Sequence, residues 1–276
     1  MLHYGHAGAP NERLLENEDM ALLDMGCEYN CYCSDITCSF PVSGSFTPDQ
    51  SIVYEAVLES QKQILAEMRP GVRWGDMHLL MHRVVLTSLR TAGLIVGEID
   101  DMMEAHLGAV FTPHGLGHLI GIDTHDVGGY LPHTPARSDL PGLKKLRTNR
   151  ILEAGMVLTV EPGCYFIDAL LDPALSDPNR ARFLVPAVIE RFRGTGGVRL
   201  EDVVVVTTAG VDNLTLCPRT TGEVESVCRG GAWPPTVDRA PWLCRRWSKL
   251  DKATGRMVPD SSVRVETTGF DLEADF

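Results

Sequence analysis

The sequence lacks any run of about 18 apolar residues, so it offers no membrane span, and residues 1–13 hold no apolar stretch of the kind a secretory signal requires. Basic residues are scarce: 25 Lys+Arg stand against 37 Asp+Glu, a formal net charge of −12. A nucleic-acid binder normally presents a basic face, which excludes that class. Paired Cys-x₂-Cys spacings are missing too. The eight cysteines are scattered apart from Cys27, Cys31, Cys33 and Cys38, and without a secretory signal they read as reduced thiols rather than a disulfide framework. That group falls on alternating strand positions, which suggests packing rather than a zinc ribbon. With 44% apolar residues the chain is not globally disordered. A soluble, cytoplasmic protein is expected, whose acid excess serves cation binding or solubility.

Roughly 100–200 residues per domain leaves room for one large domain in 276 residues. Met20 to Glu28 and Tyr32 to Phe40 read as a hairpin turning at Tyr29-Asn30. Apolar residues at helical spacing predict helices over Pro48–Met68 and Asp76–Leu94, with a short one over Ile99–Leu107. Strands are predicted over Met156–Val160 and Val198–Thr207, separated by a long irregular insertion from Asp168 to Phe192. The sum is an α+β domain over residues 1–228 with a mostly antiparallel sheet. From 229 to 276 no apolar period persists, and over 230–276 seven basic residues balance seven acidic ones, so a poorly ordered appendage is expected.

Chemistry concentrates at a few carboxylates. A turn through Tyr29 and Asn30 makes cross-strand partners sum to 59, which sets Asp24 opposite Asp35 on one face of an apolar hairpin. Like charges about 5 Å apart destabilise a sheet, so either the register is shifted and both are solvated, or a divalent cation neutralises them. The segment from Pro113 to Asp126 carries His114, His118 and His125 among glycines; glycine at 115 and 117 and the missing glutamate exclude the helical zinc-protease motif. Glu161 ends an apolar strand at a Pro-Gly turn, where it needs a partner or a metal. Arg199 and Glu201 share one face of another strand, as an ion pair at its edge or as part of a site. Four carboxylates and a histidine suit a pair of Mn²⁺-, Co²⁺- or Zn²⁺-type ions about 3.5 Å apart that bridge a hydroxide, and acyl-bond hydrolysis is the class that follows.

These segments resemble the creatinase-like metallopeptidases of the pita-bread fold, most closely the Xaa-Pro dipeptidases. The resemblance rests on LHYGHAG (2–8), LLDMGCEYNCYCSDITCSFPV (22–42), HLGAVFTPHGLGHLIGIDTHDVGGY (106–130), GLKKLRTNRILEAGMVLTVEPGCYFID (142–168) and RFRGTGGVRLEDVVVVT (191–207). It implies Asp24, Asp35, His118, Glu161 and Glu201 as ligands of two divalent ions, usually manganese. It implies His114 as a group that binds and polarises substrate, Glu161 as proton shuttle, His3, His125 and Arg147 around the substrate's proline and carboxylate, and Arg199 as a substrate-site arginine close to the metals. The implied substrates are Xaa-Pro dipeptides, and the implied assembly of full-length members is a homodimer.

Departures accompany the resemblance. Members carry an N-terminal domain, whereas here Met1 adjoins the LHYGHAG segment, so an N-terminally truncated catalytic domain is expected. Cys27 and Cys164 replace a glycine and an aliphatic residue of the pattern. Four rivals to the dipeptidase remain: a catalytically silent pita-bread binding protein, an inactive truncated isoform, an aminopeptidase P-like enzyme and a methionyl aminopeptidase-like one. Retention of all five ligands favours an enzyme, and the 168–192 insertion with the Arg147 segment favours a dipeptidase.

Overall fold

The structure, a computed structural model, describes residues 14–266. Its first unit is a hairpin in four pieces: β1 (Met20–Met25), β2 (Glu28–Tyr29), β3 (Tyr32–Cys33) and β4 (Ile36–Pro41). The turn passes through Asn30 and Cys31, both at positive φ (50° and 65°), the backbone a two-residue hairpin turn of right-handed twist demands. Partners therefore sum to 61, with Tyr29 opposite Tyr32 and Asp24 opposite Thr37. The expected Asp24–Asp35 pairing is thus corrected: Asn tolerates left-handed backbone far better than Tyr, so the turn sits one residue later. The sum moves by two, which preserves parity, and Asp35 stays on the face of Asp24 and Thr37 as a diagonal neighbour.

Helix α1 (Pro48–Glu67) starts at a capping box in which Thr47 Oγ1 accepts from Gln50 N–H while the Gln50 side chain accepts from Thr47 N–H. It buries Val53, Val57, Ile64 and Leu65 against α2 (Trp74–Thr91), which contributes Met81, Val85 and Leu89. Two short helices follow, α3 (Ile99–Glu104) and α4 (Gly108–Phe111), where one helix to residue 107 was expected. The helices back onto an antiparallel sheet of β5 (Val157–Val160), β8 (Asp202–Val206) and β9 (Val211–Asn213), and onto the pair β6 (Gly163–Tyr165) and β7 (Gly197–Arg199). The single strand expected over 198–207 breaks at Leu200-Glu201, because β7 pairs with β6 while β8 pairs with β5. Between β6 and β7 the expected irregular insertion is helical: α5 (Asp168–Ser176), α6 (Pro178–Ala181) and α7 (Pro186–Phe192). Prolines 178 and 186 lie at helix starts, where a missing N–H costs nothing, so they punctuate helices rather than prevent them.

Isolated bridges knit the pieces together: Thr37 to Glu201 joins the hairpin to the start of β8, and Leu119 to Leu158 lays the histidine segment against β5. After α8 (Thr221–Cys228), residues 229–266 are folded, contrary to the expected poor order. They form β10 (Val237–Asp238), β11 (Ser248–Asp251), β12 (Arg256–Pro259) and β13 (Arg264–Val265). Asn213 at the sheet edge anchors them: its N–H donates to Cys244 O (2.8 Å), and its carbonyl accepts from Arg246 N–H (2.8 Å). The fully buried Arg245 guanidinium pairs with Glu223 (2.6 Å) and Asp238 (3.2 Å) and lies beside the mutually packed rings of Trp233 and Trp247. Apolar periodicity does not reveal such a module, because ion pairs and indole rings hold it rather than one apolar face.

Candidate metal centre

Asp24 stands on β1, Asp35 at the entry to β4, His118 beside β5, Glu161 at the end of β5 and Glu201 at the start of β8. The fold brings all five to the floor of one cleft of about 1010 Å³. Ligand atoms of Asp35, His118 and Glu201 lie within 4.8 Å of one another. His118 Nε2 is 3.5 Å from Asp35 Oδ2 and 3.7 Å from Glu161 Oε1. Its Nδ1 is 3.0 Å from Leu119 O, a group that only accepts, so Nδ1 carries the proton. In the neutral ring the Nε2 lone pair then faces two carboxylates with no hydrogen between, an arrangement that a cation stabilises. The donor set of carboxylate oxygens and one imidazole therefore fits a divalent metal.

The electrostatics agree. Burial, then Glu201, Asp35 and Asp24, push Glu161 well above the ordinary carboxylate range, against the pull of Arg199. Glu201 is raised to about 7, by burial first and then by Asp35. Asp24 is raised by burial and by Asp35, with Arg199 opposing at 2.6 Å. Carboxyl groups crowded so that protons are favoured are groups that a cation would relieve.

Arg199 is buried and donates through Nε to Thr37 Oγ1 (3.1 Å) and through Nη1 to the Tyr165 hydroxyl (3.2 Å). Thr37 in turn donates to Glu201 Oε2 (2.6 Å). His114 donates from Nδ1 to Gly115 O (2.7 Å), leaving Nε2 to accept from the Tyr165 hydroxyl (2.9 Å). Burial, with Arg199 adding to it, lowers the His114 pKa to about 4, so the ring is neutral near pH 7. The His125 ring packs edge-on to His118 at 4.5 Å, and Arg147 lies on the exposed wall of the cleft with Arg137, Lys144 and Lys145. His3 falls outside the described residues.

Sequence reasoning missed Thr37, Tyr165 and Thr159. Thr37 lies two residues beyond Asp35, so strand alternation places it on the same face, whereas Tyr165 lies on β6, across the break at 161–162 from β5, and no local period signals it. Thr159 binds His118 N–H through Oγ1 (3.0 Å), and its own N–H donates to His118 O (2.9 Å). This contact requires glycine at 117, where a Cβ would meet Thr159 O at 2.0 Å. Gly117→Ala is therefore expected to displace His118 and weaken Mn²⁺ binding by at least about tenfold, the scale of lost supporting contacts around metal ligands. Calorimetric titration measures this, and an unchanged affinity would refute the dependence on close approach.

A model of metallopeptidase family M24 matches residues 1–208. The human Xaa-Pro dipeptidase is 60% identical over 230 residues, covering 83% of this chain and 46% of that protein. The "Probable Xaa-Pro aminopeptidase PEPP" of Pyricularia oryzae is 41% identical over 228 residues. Among solved structures, the Pseudomonas aeruginosa aminopeptidase PepP superposes with a TM-score of 0.65 at 34% identity, over 83% of this chain and 45% of that one. Zinc-substituted Escherichia coli aminopeptidase P in complex with product gives 0.63 at 34% identity, over 83% of this chain and 44% of that one. The chain thus spans about half the length of the curated relatives it matches.

Proposed function

The chain belongs to metallopeptidase family M24 and has its pita-bread fold, and from that premise we propose that it hydrolyses Xaa-Pro dipeptides with two divalent ions, manganese being the metal of choice. The observation that carries the reading is the His118 Nε2 lone pair facing Asp35 and Glu161 beside Glu201, on the floor of a cleft with basic walls. Asp24, Asp35, His118, Glu161 and Glu201 would hold the ions. Bound there, they supply Lewis-acid polarisation of a carbonyl and a water acidified toward neutrality.

The remaining chemistry belongs to side chains. The nitrogen of an Xaa-Pro bond must gain a proton to leave, and Glu161, a carboxylate on the cleft floor beside His114, is the group to hold and deliver it. Neutral His114, fixed by Gly115 O and the Tyr165 hydroxyl, orients the substrate without adding charge beside the metals. Arg199 holds Asp24 and steadies Thr37, the hydroxyl that fixes Glu201. Arg147, with His125, takes the free carboxylate of the C-terminal proline, and Arg137, Lys144 and Lys145 make that wall electropositive. Residues 1–228 are taken as the catalytic unit and 229–266 as a module packed on it.

The test is hydrolysis of Gly-Pro by this chain with added Mn²⁺. Turnover supports the dipeptidase. Mn²⁺ binding without turnover of any Xaa-Pro substrate would sink it in favour of a silent binder or inactive isoform. The likeness to aminopeptidase P structures favours a second reading, in which longer peptides with proline second are cut; Gly-Pro against Gly-Pro-Ala separates the two.

A pH signature follows for the metal-free chain. Glu201 rises from an ordinary 4.5 to about 7 on folding, so the folded state binds the proton more tightly. The associated stability is complete below about pH 4.5 and is lost as pH climbs through about 7. Thermal denaturation with chelator is expected to show midpoints falling over that window, and saturating Mn²⁺ to raise them most at its upper end. A metal-independent midpoint would contradict the site.

A further inference from the structure

We propose that Lys145 makes this cleft selective for an anionic Xaa side chain, so that Asp-Pro and Glu-Pro are its preferred class of dipeptide. The inference rests on the dipeptidase reading and names the substrate within it.

The cleft has a wall of cations without acids. Residues 131–147 hold Arg137, Lys144, Lys145 and Arg147 against one carboxylate, Asp139, in a chain whose net charge is −12. All four cations line the cleft, and among the described residues none of them has a carboxylate partner. Elsewhere the acid excess finds its cations: Arg193 alone meets Asp168, Asp172 and Glu190. Unpaired like charges on one concave wall repel one another, and an anion bound between them removes that cost.

The wall is fixed from behind. Arg137 donates through Nη1 to Lys144 O (3.2 Å) and to Leu146 O, and its guanidinium lies 4.2 Å from the centroid of the Tyr130 ring. The Tyr130 hydroxyl also donates to Leu146 O (3.0 Å). Leu146 and Thr148 are buried while Lys145 and Arg147 are exposed, so these two turn toward the cleft together. Leu146 between them is extended (φ −58°, ψ 135°), which spaces their Cα atoms by about 6–7 Å. An Xaa-Pro dipeptide is of similar length, so two carboxylates on it can meet two cations.

The two positions are not equivalent. The Lys145 carbonyl packs on Gly115, beside His114, 3.1 Å from where a Cβ would stand; the Arg147 carbonyl packs on Gly129, 2.1 Å from such a position. With the proline carboxylate held by Arg147 and His125, the residue on the other side of the peptide bond lies toward His114, which is the Lys145 end. A carboxylate on that residue meets the Lys145 ammonium, an amide loses the attraction, and a second ammonium is repelled.

The experiment compares Glu-Pro with its neutral isostere Gln-Pro and with Lys-Pro, on the Mn²⁺-loaded native chain near neutral pH and at low salt. The kcat/KM for Glu-Pro is expected to exceed that for Gln-Pro by about fivefold, the scale of an exposed ion pair, with Lys-Pro below both. The difference should sit in KM, because the side-chain contact is the same in ground and transition states. It should shrink in about 1 M NaCl, where the Debye length falls to about 3 Å. Lys145→Gln should bring the ratio of Glu-Pro to Gln-Pro close to unity, and Lys145→Arg should keep most of it. Hydrolysis of Gln-Pro as efficiently as Glu-Pro would overturn the proposal and leave the dipeptidase reading standing, as would a preference that survives Lys145→Gln. If no Xaa-Pro bond is cut, that reading fails by itself, and the same dipeptides are compared by calorimetric Kd on the Mn²⁺-loaded chain. Tighter binding of Glu-Pro that Lys145→Gln removes sustains the selectivity, and equal Kd values overturn it.

Discussion

Replacing Arg219 by Met is expected to destabilise the protein by about 3–5 kcal/mol, the cost of breaking a buried ion pair from one side. The guanidinium donates to Asp202 Oδ1 through Nε (3.0 Å) and Nη2 (2.7 Å), to Glu201 O (2.5 Å) and to Thr37 O (3.0 Å). Burial works against its charge, and Asp202, with Cys38, Cys217 and Tyr54, holds that charge in place. Methionine fills similar volume, so the loss is not chiefly a cavity. What remains is Asp202, 0% exposed, with Gln61 and Asn213 on its other oxygen and no countercharge. Against a total stability of roughly 5–15 kcal/mol, much of the folded population is at risk at 37 °C. Urea denaturation measures the effect. Adding Asp202→Leu should restore part of the loss, because the stranded charge goes with its partner; a single-variant cost under about 1 kcal/mol would show that the pair is not what ties β4 to β8.

Asp35→Asn is expected to lower metal affinity by more than about a hundredfold, comparable to or beyond the cost of losing an outer-shell partner, and to take Gly-Pro hydrolysis below detection. The same substitution should make the metal-free protein more stable at pH 7, not less. Asp35 contributes to the raised pKa of Asp24, Glu161 and Glu201, so removing its charge relieves all three. A metal ligand and a merely structural aspartate thus predict opposite signs. The expected pattern is a higher thermal midpoint in chelator together with loss of the rise that Mn²⁺ gives wild type, which mass action sets at about 2.7 kcal/mol for metal at a hundred times its Kd. A lower midpoint in chelator with the metal-induced rise intact would remove Asp35 from the site.

Much of this was legible before any coordinates. Parity alone put Asp24 and Asp35 on one face, and it survived a turn displaced by one residue, since the shift changes the pairing sum by an even number. Helices α1 and α2 follow from apolar spacing. Helices α5 to α7 were not legible, because each is short and proline-punctuated, so no window of the 3.6-residue period is long enough to register. Residues 229–266 escaped because a buried Arg245 packed beside two indoles looks, in sequence, like ordinary polar text.

Sequence by itself determined which residue types are available to the site and, through alternation on the hairpin strands, that Asp24 and Asp35 share one face, since the strand period is a local property of the backbone. Tertiary structure alone decided that Thr37 binds Glu201 across 164 positions, that the His118 lone pair faces carboxylates, and that Arg219 reaches both Asp202 and the Thr37 carbonyl. Those outcomes depend on how separate strands are brought together, and no local period encodes that.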